Sequence, residues 1–174
     1  ELRELGCAFV ISAIESLSDR VLAELDNGHT RADALEALAI CRDLGLPLRP
    51  SFVAFTPWTT LGDYLELVDA IVVEGLVDHV EPVQLAVRLL IPPGSALLWR
   101  RSPRPWLGEL RAAELSYRWR HPDQRMDELF RLVSAELEAD PGADAGEQIE
   151  RVRRLAYRVA GRAAPLVSPP PRRF

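Results

Sequence analysis

Lysine is absent from this 174-residue chain, and only two cysteines and one methionine are present. All 21 basic residues are arginine. Cys7 and Cys41 lie far apart, with no second cysteine or histidine close to either, which argues against a Cys-x-x-Cys redox pair or a zinc site. We therefore predict a reducing, cytoplasmic environment in which both cysteines serve as small apolar side chains.

Long apolar runs are also lacking. None approaches the roughly 18 to 20 residues that cross a membrane, so no membrane partner is expected. The first residues, ELRELG, have neither a basic signal-peptide start nor an initiator methionine. We expect that the chain begins inside a longer protein or was trimmed. Its 48% apolar and 27% charged residues suit one domain with an appendage.

Positive charge is scarce in the first half of the chain. Residues 1–92 carry 6 arginines and 15 acidic residues, a net charge of −9, whereas residues 93–174 carry 15 arginines and 11 acidic residues, a net charge of +4. Such a division is found in nucleic-acid-binding arms, in segments that dock on each other and in solvated faces. We favour docking or a solvated face. An RNA-binding or protein-binding helical module on an α/β scaffold is the alternative.

An apolar run from Cys7 to Ile14 leads directly into a predicted helix that begins near Asp19. A continuous apolar strand followed at once by a helix is typical of a parallel sheet that is buried on both faces. Ligands bind at the carboxyl ends of the strands in such sheets. Glu15 and Ser16 occupy that position here and are therefore candidate binding residues.

Two further strands are predicted. The second runs from about Leu48 to Phe55, with its pairing expected over 51–55 because proline at 47 and 50 offers no N–H group. The third runs from about Pro82 to Ile91. It alternates with period two and places Gln84 and Arg88 on its less apolar face, where they line a polar cavity, pair with an acid or face water; we favour the cavity.

The order of elements predicts an α/β fold, part of a (β/α)6 partial TIM barrel with three parallel strands, followed by a helical C-terminal extension. Glycine-rich phosphate loops are missing from all three strand ends. The predicted divisions are 1–98 for the barrel portion, 99–161 for the helical extension and 162–174 for a disordered tail.

His29 lies in a tight corner, and we interpret it as a capping or solvated residue rather than as a ligand or base. Asp123 is either a helix N-cap or, with His121, part of a corner that reads a substrate.

Local signals also predict where three helices begin. Ser18 and Thr30 are predicted N-caps, and the turn 56–60, which ends at Thr60, provides a third. The helix after this turn is predicted to carry a buried stripe that includes Tyr64 and Val68.

Three stretches resemble one enzyme family. ISAIESLSDRVLAELDNGHT is similar to the fourth strand and following helix of radical S-adenosylmethionine (SAM) enzymes, particularly the methylthiotransferases and their cobalamin-dependent relatives. SFVAFTPWTTLGDYLELVDAI is similar to their fifth strand, turn and helix, although the usual turn reads Pro-Gly-Glu-Thr. VRLLIPPGS suits their sixth strand. The resemblance covers about residues 6–95.

The resemblance implies an enzyme in which a 4Fe-4S cluster, held by three cysteines in C-x3-C-x2-C, binds and reductively cleaves SAM. That motif is missing here, so the cluster ligands are expected upstream of this chain, which alone should be inactive. A flavodoxin or ferredoxin would supply the electron, and some relatives also use cobalamin. The residues that the resemblance implies for SAM binding are Ser12, Glu15, Ser16, Arg49, Gln84 and Arg88. Those implied for the substrate pocket are Thr56 and Trp58.

Overall fold

The computed structural model describes residues 4–100 and 103–167. The strands are β1 (Val10–Glu15), β2 (Leu48–Phe52), β3 (Leu107–Arg111) and β4 (Ser116–Trp119). The helices are α1 (Asp19–Leu25), α2 (Arg31–Asp43), α3 (Leu61–Val73), α4 (Gln124–Ala139) and α5 (Ala145–Val159). Short 3₁₀ helices span Pro82–Ala86, Ala96–Trp99 and Ala112–Glu114. The α/β class expected from the sequence is confirmed. No helix in the described ranges is both long and apolar enough to cross a membrane.

β1 and β2 form a two-stranded parallel sheet, with α1 and α2 in the connection between them. The pairing covers 48–52 rather than the predicted 51–55. The backbone N–H of Val53 donates to the carbonyl of Glu15 at 2.8 Å. Because N–H groups alternate between the two edges of a strand, the nitrogen of Pro50 faces away from β1. Its missing hydrogen therefore costs this ladder nothing.

The third parallel strand predicted over 82–91 is largely absent, which corrects the three-strand prediction. Residues Pro82–Ala86 are helical, and only the segment after them is extended. A single parallel bridge joins Phe55 to Arg88, with N–H groups donating from Phe55 to Val87 at 3.0 Å and from Leu89 to Phe55 at 2.8 Å. The extended segment thus pairs with the chain just beyond the end of β2, and it follows β1 and β2 in chain order.

Tertiary contacts explain why this stretch does not form a full strand. Proline is well suited to the first turn of a helix, and Pro82 occupies that position. The hydroxyl of Tyr64 donates to the carbonyl of Leu85 at 2.9 Å, and the side-chain oxygen of Gln84 accepts from the N–H of Phe52 at 2.9 Å. These contacts occupy polar groups that a strand ladder would have used.

The C-terminal extension contains a β-hairpin in addition to its helices, which corrects the prediction of a helical segment over 99–161. β3 and β4 pair antiparallel through a connection that includes Leu115 at φ 49°. β4 also lies beside the extended segment, since the N–H of Tyr117 donates to the carbonyl of Ile91 at 2.8 Å. The hairpin is therefore a second, separate two-stranded sheet that contacts the extended segment.

One hydrophobic core joins the two parts of the chain. It includes Ile14 from β1, Tyr64 from α3, Leu129 from α4 and Val152 from α5, all at most 3% exposed. The predicted tail is partly docked, because the carbonyl of Pro165 accepts a hydrogen bond from Arg153. Residues 168–174 of that tail lie outside the described residues.

The edge of β1 that faces away from β2 has no strand beside it among the described residues. Val10 N–H points toward β2, where it donates to Pro47, so the N–H groups of Ile11 and Ala13 point toward this edge. The side chain of Ile11 is 71% exposed. β1 therefore offers unpaired backbone groups next to an exposed apolar side chain.

Candidate functional site

The carboxyl end of β1 is a strained turn centred on Glu15. Glu15 has φ 63°, and the N–H of Ser16 donates to the carbonyl of Ile14 at 2.7 Å, which closes a three-residue turn. A side chain in the left-handed region at such a turn costs on the order of 1–3 kcal/mol, and conformations of this kind cluster at binding and catalytic sites. No sequence pattern indicated this strain, although Glu15 was predicted to lie at a strand end.

The carboxylate of Glu15 is unengaged within the part of the chain that the structure describes. The residue is half-buried, and its side chain makes no hydrogen bond or ion pair with any residue that the structure describes. Ser12, also half-buried on β1, likewise has an unengaged hydroxyl in the described part of the chain. Two of the predicted binding residues thus have side chains available for new contacts.

Ser16 is buried and already has a local partner. Its hydroxyl oxygen accepts from the N–H of Ser18 at 3.1 Å. Ser18 occupies the predicted N-cap position of α1 but makes no capping bond with its own side chain. Ser16 therefore helps to fix the start of α1 beside the Glu15 turn.

Gln84 approaches the same strand end from the opposite side. Its side-chain oxygen accepts from the N–H of Phe52, the residue of β2 that pairs with Glu15. Arg49, by contrast, lies three residues before Phe52, which is about 10 Å along the strand. The guanidinium of Arg49 stacks over the ring of Phe9 at 4.3 Å. The structure thus brings Glu15 and Gln84 to one strand end and leaves Arg49 away from it.

Arg88 is engaged by the C-terminal extension. It donates to the carbonyl of Trp119 and to the carboxylate of Asp127, both at 2.8 Å. Its guanidinium lies 3.7 Å from the ring centroid of Trp119 and 4.9 Å from that of Phe130. Of the alternatives for Arg88, pairing with an acid is therefore observed. No local pattern identifies Asp127 as its partner, because the two residues are 39 positions apart.

The predicted substrate-pocket residues form a closed turn. The hydroxyl of Thr56 is fully buried, lies 2.8 Å from that of Thr59 and accepts from the N–H of Trp58. The ring of Trp58 packs edge-on against Trp106, with centroids 5.5 Å apart. These contacts fix the entrance to α3 and leave the hydroxyl of Thr56 little capacity for a ligand.

His29 contacts the carboxyl end of β1, which the sequence did not indicate. Its Nε2 lies 3.2 Å from the carbonyl oxygen of Ile14, and its Nδ1 lies 3.2 Å from that of Asn27. The next residue, Thr30, caps α2 as predicted, in a reciprocal capping box with Asp33. The corner between α1 and α2 therefore reaches the Glu15 turn through an imidazole ring.

The capping box should make stability depend on pH. Hydrogen bonds from the side chain and backbone of Thr30 lower the pKa of Asp33 below its ordinary value of 3.8. Because the pKa of Asp33 is lower in the folded protein than in the unfolded chain, its ionised carboxylate stabilises the fold at pH values above the unfolded-state pKa. This stabilisation is lost as the pH falls through the folded-state pKa. We expect Asp33→Asn to lower the melting temperature at pH 7 and to differ less from the unaltered protein near pH 3. Circular dichroism melts from pH 7 to 3 measure this, and a constant difference would contradict it.

Several aromatic and basic side chains of the extension are engaged within the part of the chain that the structure describes. Trp106 and Trp119 are at most 9% exposed, and Trp99 is 79% exposed. Arg151 contacts carboxylates of α4 and the following loop, and Arg154 pairs with a glutamate one turn earlier on α5. These contacts lie within the extension. Docking on the α/β part is supported instead by the ion pairs of Arg153 with Asp69 and of Asp127 with Arg88, so RNA remains the less favoured partner.

Cys7 and Cys41 are both free thiols. In the ranges 4–100 and 103–167, no three His, Cys, Asp or Glu side chains are grouped so as to hold a metal ion. Comparisons with models of protein families, with curated proteins and with solved structures find no match for this chain.

Proposed function

We propose that this chain is the C-terminal portion of a cytoplasmic radical SAM enzyme, and that the carboxyl ends of β1 and β2 bind SAM. The observation that carries the proposal is the strained turn at Glu15, whose carboxylate is unengaged by described residues at the end of a parallel strand. The resemblance of 6–95 to that family supports it, as does the order of β1, β2 and the segment bridged to Phe55. A barrel requires neighbouring strands in chain order.

The residues at this strand end suit the polar groups of SAM. A carboxylate accepts strong hydrogen bonds from an ammonium group or from ribose hydroxyls, and Glu15 is available for either. The amide nitrogen of Gln84 is a further donor near Phe52, whereas Ser12 lies three residues before Glu15, about 10 Å along β1, and is not assigned to this strand end. Arg88 is assigned a structural role in this proposal, because a ligand carboxylate would have to displace Asp127.

The cluster is not assigned to this part of the chain. Cys7 and Cys41 lack the spacing of a cluster motif, and no other described group of side chains substitutes for it. We propose that the cluster ligands belong to residues that precede Glu1 in a longer protein. When bound there, the cluster would supply the electron for SAM cleavage, after reduction by a flavodoxin or ferredoxin. Neither the substrate nor a cobalamin cofactor is assigned.

Substitution at Glu15 tests the proposal. We expect Glu15→Gln to weaken SAM binding about tenfold, because a charge-assisted hydrogen bond contributes roughly 1.5 kcal/mol or more. Binding is measured by anaerobic isothermal titration of the parent protein after reconstitution with iron and sulfide. Glu36→Gln, at an exposed position on α2, is the matched control. Equal SAM affinity in the two variants, or an upstream reading frame without C-x3-C-x2-C, would overturn the proposal.

A further inference from the structure

The carbonyl of Ile14 is shared by two possible donors at the end of β1. The N–H of Ser16 donates to it at 2.7 Å and thereby closes the turn around Glu15. The Nε2 atom of His29 lies 3.2 Å from the same oxygen, although His29 is 15 positions further along the chain. Among the described residues, the imidazole has one further polar contact, in which Nδ1 lies 3.2 Å from the carbonyl oxygen of Asn27.

We propose that His29 is a positioning residue for Glu15. By donating its Nε2 hydrogen to the Ile14 carbonyl, it holds the turn that presents the Glu15 carboxylate to the ligand. This inference rests on the proposed function, because it assigns His29 a role at the same binding site. His29 itself touches no ligand in the proposal.

The turn needs an external restraint because its central residue is in an unfavourable conformation. Glu15 at φ 63° would be more stable in an extended conformation, which would move its side chain and break the contact between Ser16 and Ile14. β2 restrains one side of the turn, since Val53 N–H donates to the carbonyl of Glu15 at 2.8 Å. The imidazole of His29 supplies a second restraint from a different element.

His29 is itself held by a tightly folded corner. Asp26 and Gly28 both have left-handed backbone conformations, with φ 62° and 70°. Thr30 then forms the capping box of α2, and the N–H of Arg31 donates to the carboxylate of Asp19 at 2.7 Å. One end of the corner is fixed by the C-terminal end of α1, where Asn27 N–H donates to the carbonyl of Leu22 at 3.2 Å, and the other end is fixed by the start of α2. The imidazole is therefore directed at β1 with little freedom.

The hydrogen-bonding requirement specifies the variants. Carbonyl oxygens only accept, so the ring must carry its proton on Nε2 in order to bond to Ile14. Glutamine places an amide donor near the position of Nε2, whereas leucine has similar bulk and no donor. His29→Gln should therefore preserve the restraint, and His29→Leu should remove it.

Amide hydrogen exchange tests the restraint without any ligand. We expect exchange at Ser16 to become at least tenfold faster in His29→Leu and to stay within about threefold of the unaltered protein in His29→Gln. Leu38, buried in α2, reports global unfolding and should change less than Ser16. If His29→Leu fails to fold, the comparison is made with His29→Asn, whose shorter side chain does not reach the Ile14 carbonyl. Unchanged exchange at Ser16 in the donor-lacking variant would overturn the inference.

SAM affinity of the reconstituted parent protein tests the consequence. His29→Leu should weaken binding about fivefold, and His29→Gln should restore it to within twofold. If Glu15→Gln weakens binding while His29→Leu does not, the positioning role is wrong and the proposed function stands. If Glu15→Gln has no effect, the proposed function fails, and the Ser16 exchange still decides whether His29 holds the turn.

Discussion

Replacing Arg153 by alanine is expected to lower the free energy of unfolding by about 3 kcal/mol. Arg153 is 3% exposed on α5 and donates to Asp69 of α3 at 2.6 Å. Asp69 also accepts from the hydroxyl of Tyr157 at 2.5 Å. Burial and the Asp69 carboxylate raise the pKa of Tyr157, which keeps the donor proton in place. Removing the guanidinium leaves the carboxylate without its countercharge beside the core.

The expected value lies at the low end for a broken buried pair because Asp69 is 27% exposed and water can solvate part of its charge. In a protein of this size the loss corresponds to a fall of about 6–12 °C in melting temperature. Urea denaturation and thermal melts measure both quantities. Arg154→Ala is the matched control on the same helix. Its side chain is 70% exposed and its loss should change stability by less than about 0.5 kcal/mol. Equal effects of the two substitutions would refute the prediction.

The second large effect is expected at the contact between Arg88 and Asp127. Arg88→Ala should cost about 2–3 kcal/mol, since it removes a charged hydrogen bond and the stacking on Trp119 together. Asp127→Ala should cost less. The double variant should cost less than the two single losses combined, with a coupling energy of about 1–3 kcal/mol.

This cycle also decides between two roles for Arg88. A residue that holds the extension against the bridged segment shows strong coupling to Asp127 without any ligand. A residue reserved for a ligand carboxylate shows little coupling and loses affinity for SAM instead. The exposed pair of Arg118 and Glu114 is the control, and we expect no measurable coupling between them. Coupling at Arg88 no larger than in this control would contradict the structural role.

Local signals predicted the helices and their starts well. Thr30 and Thr60 both form capping boxes, and Asp123 caps α4 through a bond from Arg125 N–H, as the sequence indicated. The buried stripe of α3, which includes Tyr64 and Val68, was also predicted correctly. Such features depend on residues within one or two turns, so a single sequence contains the information.

Features that depend on distant partners were not predictable. The alternation over 82–91 indicated a strand, but Val83 is 64% exposed while Leu85 is fully buried, because α3 binds the backbone there. The hairpin of β3 and β4 turns at Ala112–Glu114 and Leu115, without glycine, proline or asparagine to mark it. At the candidate site, the sequence located Glu15 at a strand end. It could not reveal the conformational strain or the contact from His29, which arise only when α1, α2 and β1 are assembled.

The open side of β1 has a practical consequence for handling this chain in isolation. Natural sheets protect such borders with lysine, proline or inward-pointing charge, and the exposed stretch at Ile11 and Ala13 has none of these. In concentrated solution, the exposed edge of β1 can therefore pair with strands of other molecules, which leads to aggregation rather than to a defined assembly. Purification of this chain should accordingly use low concentrations or a solubilising fusion joined ahead of Glu1.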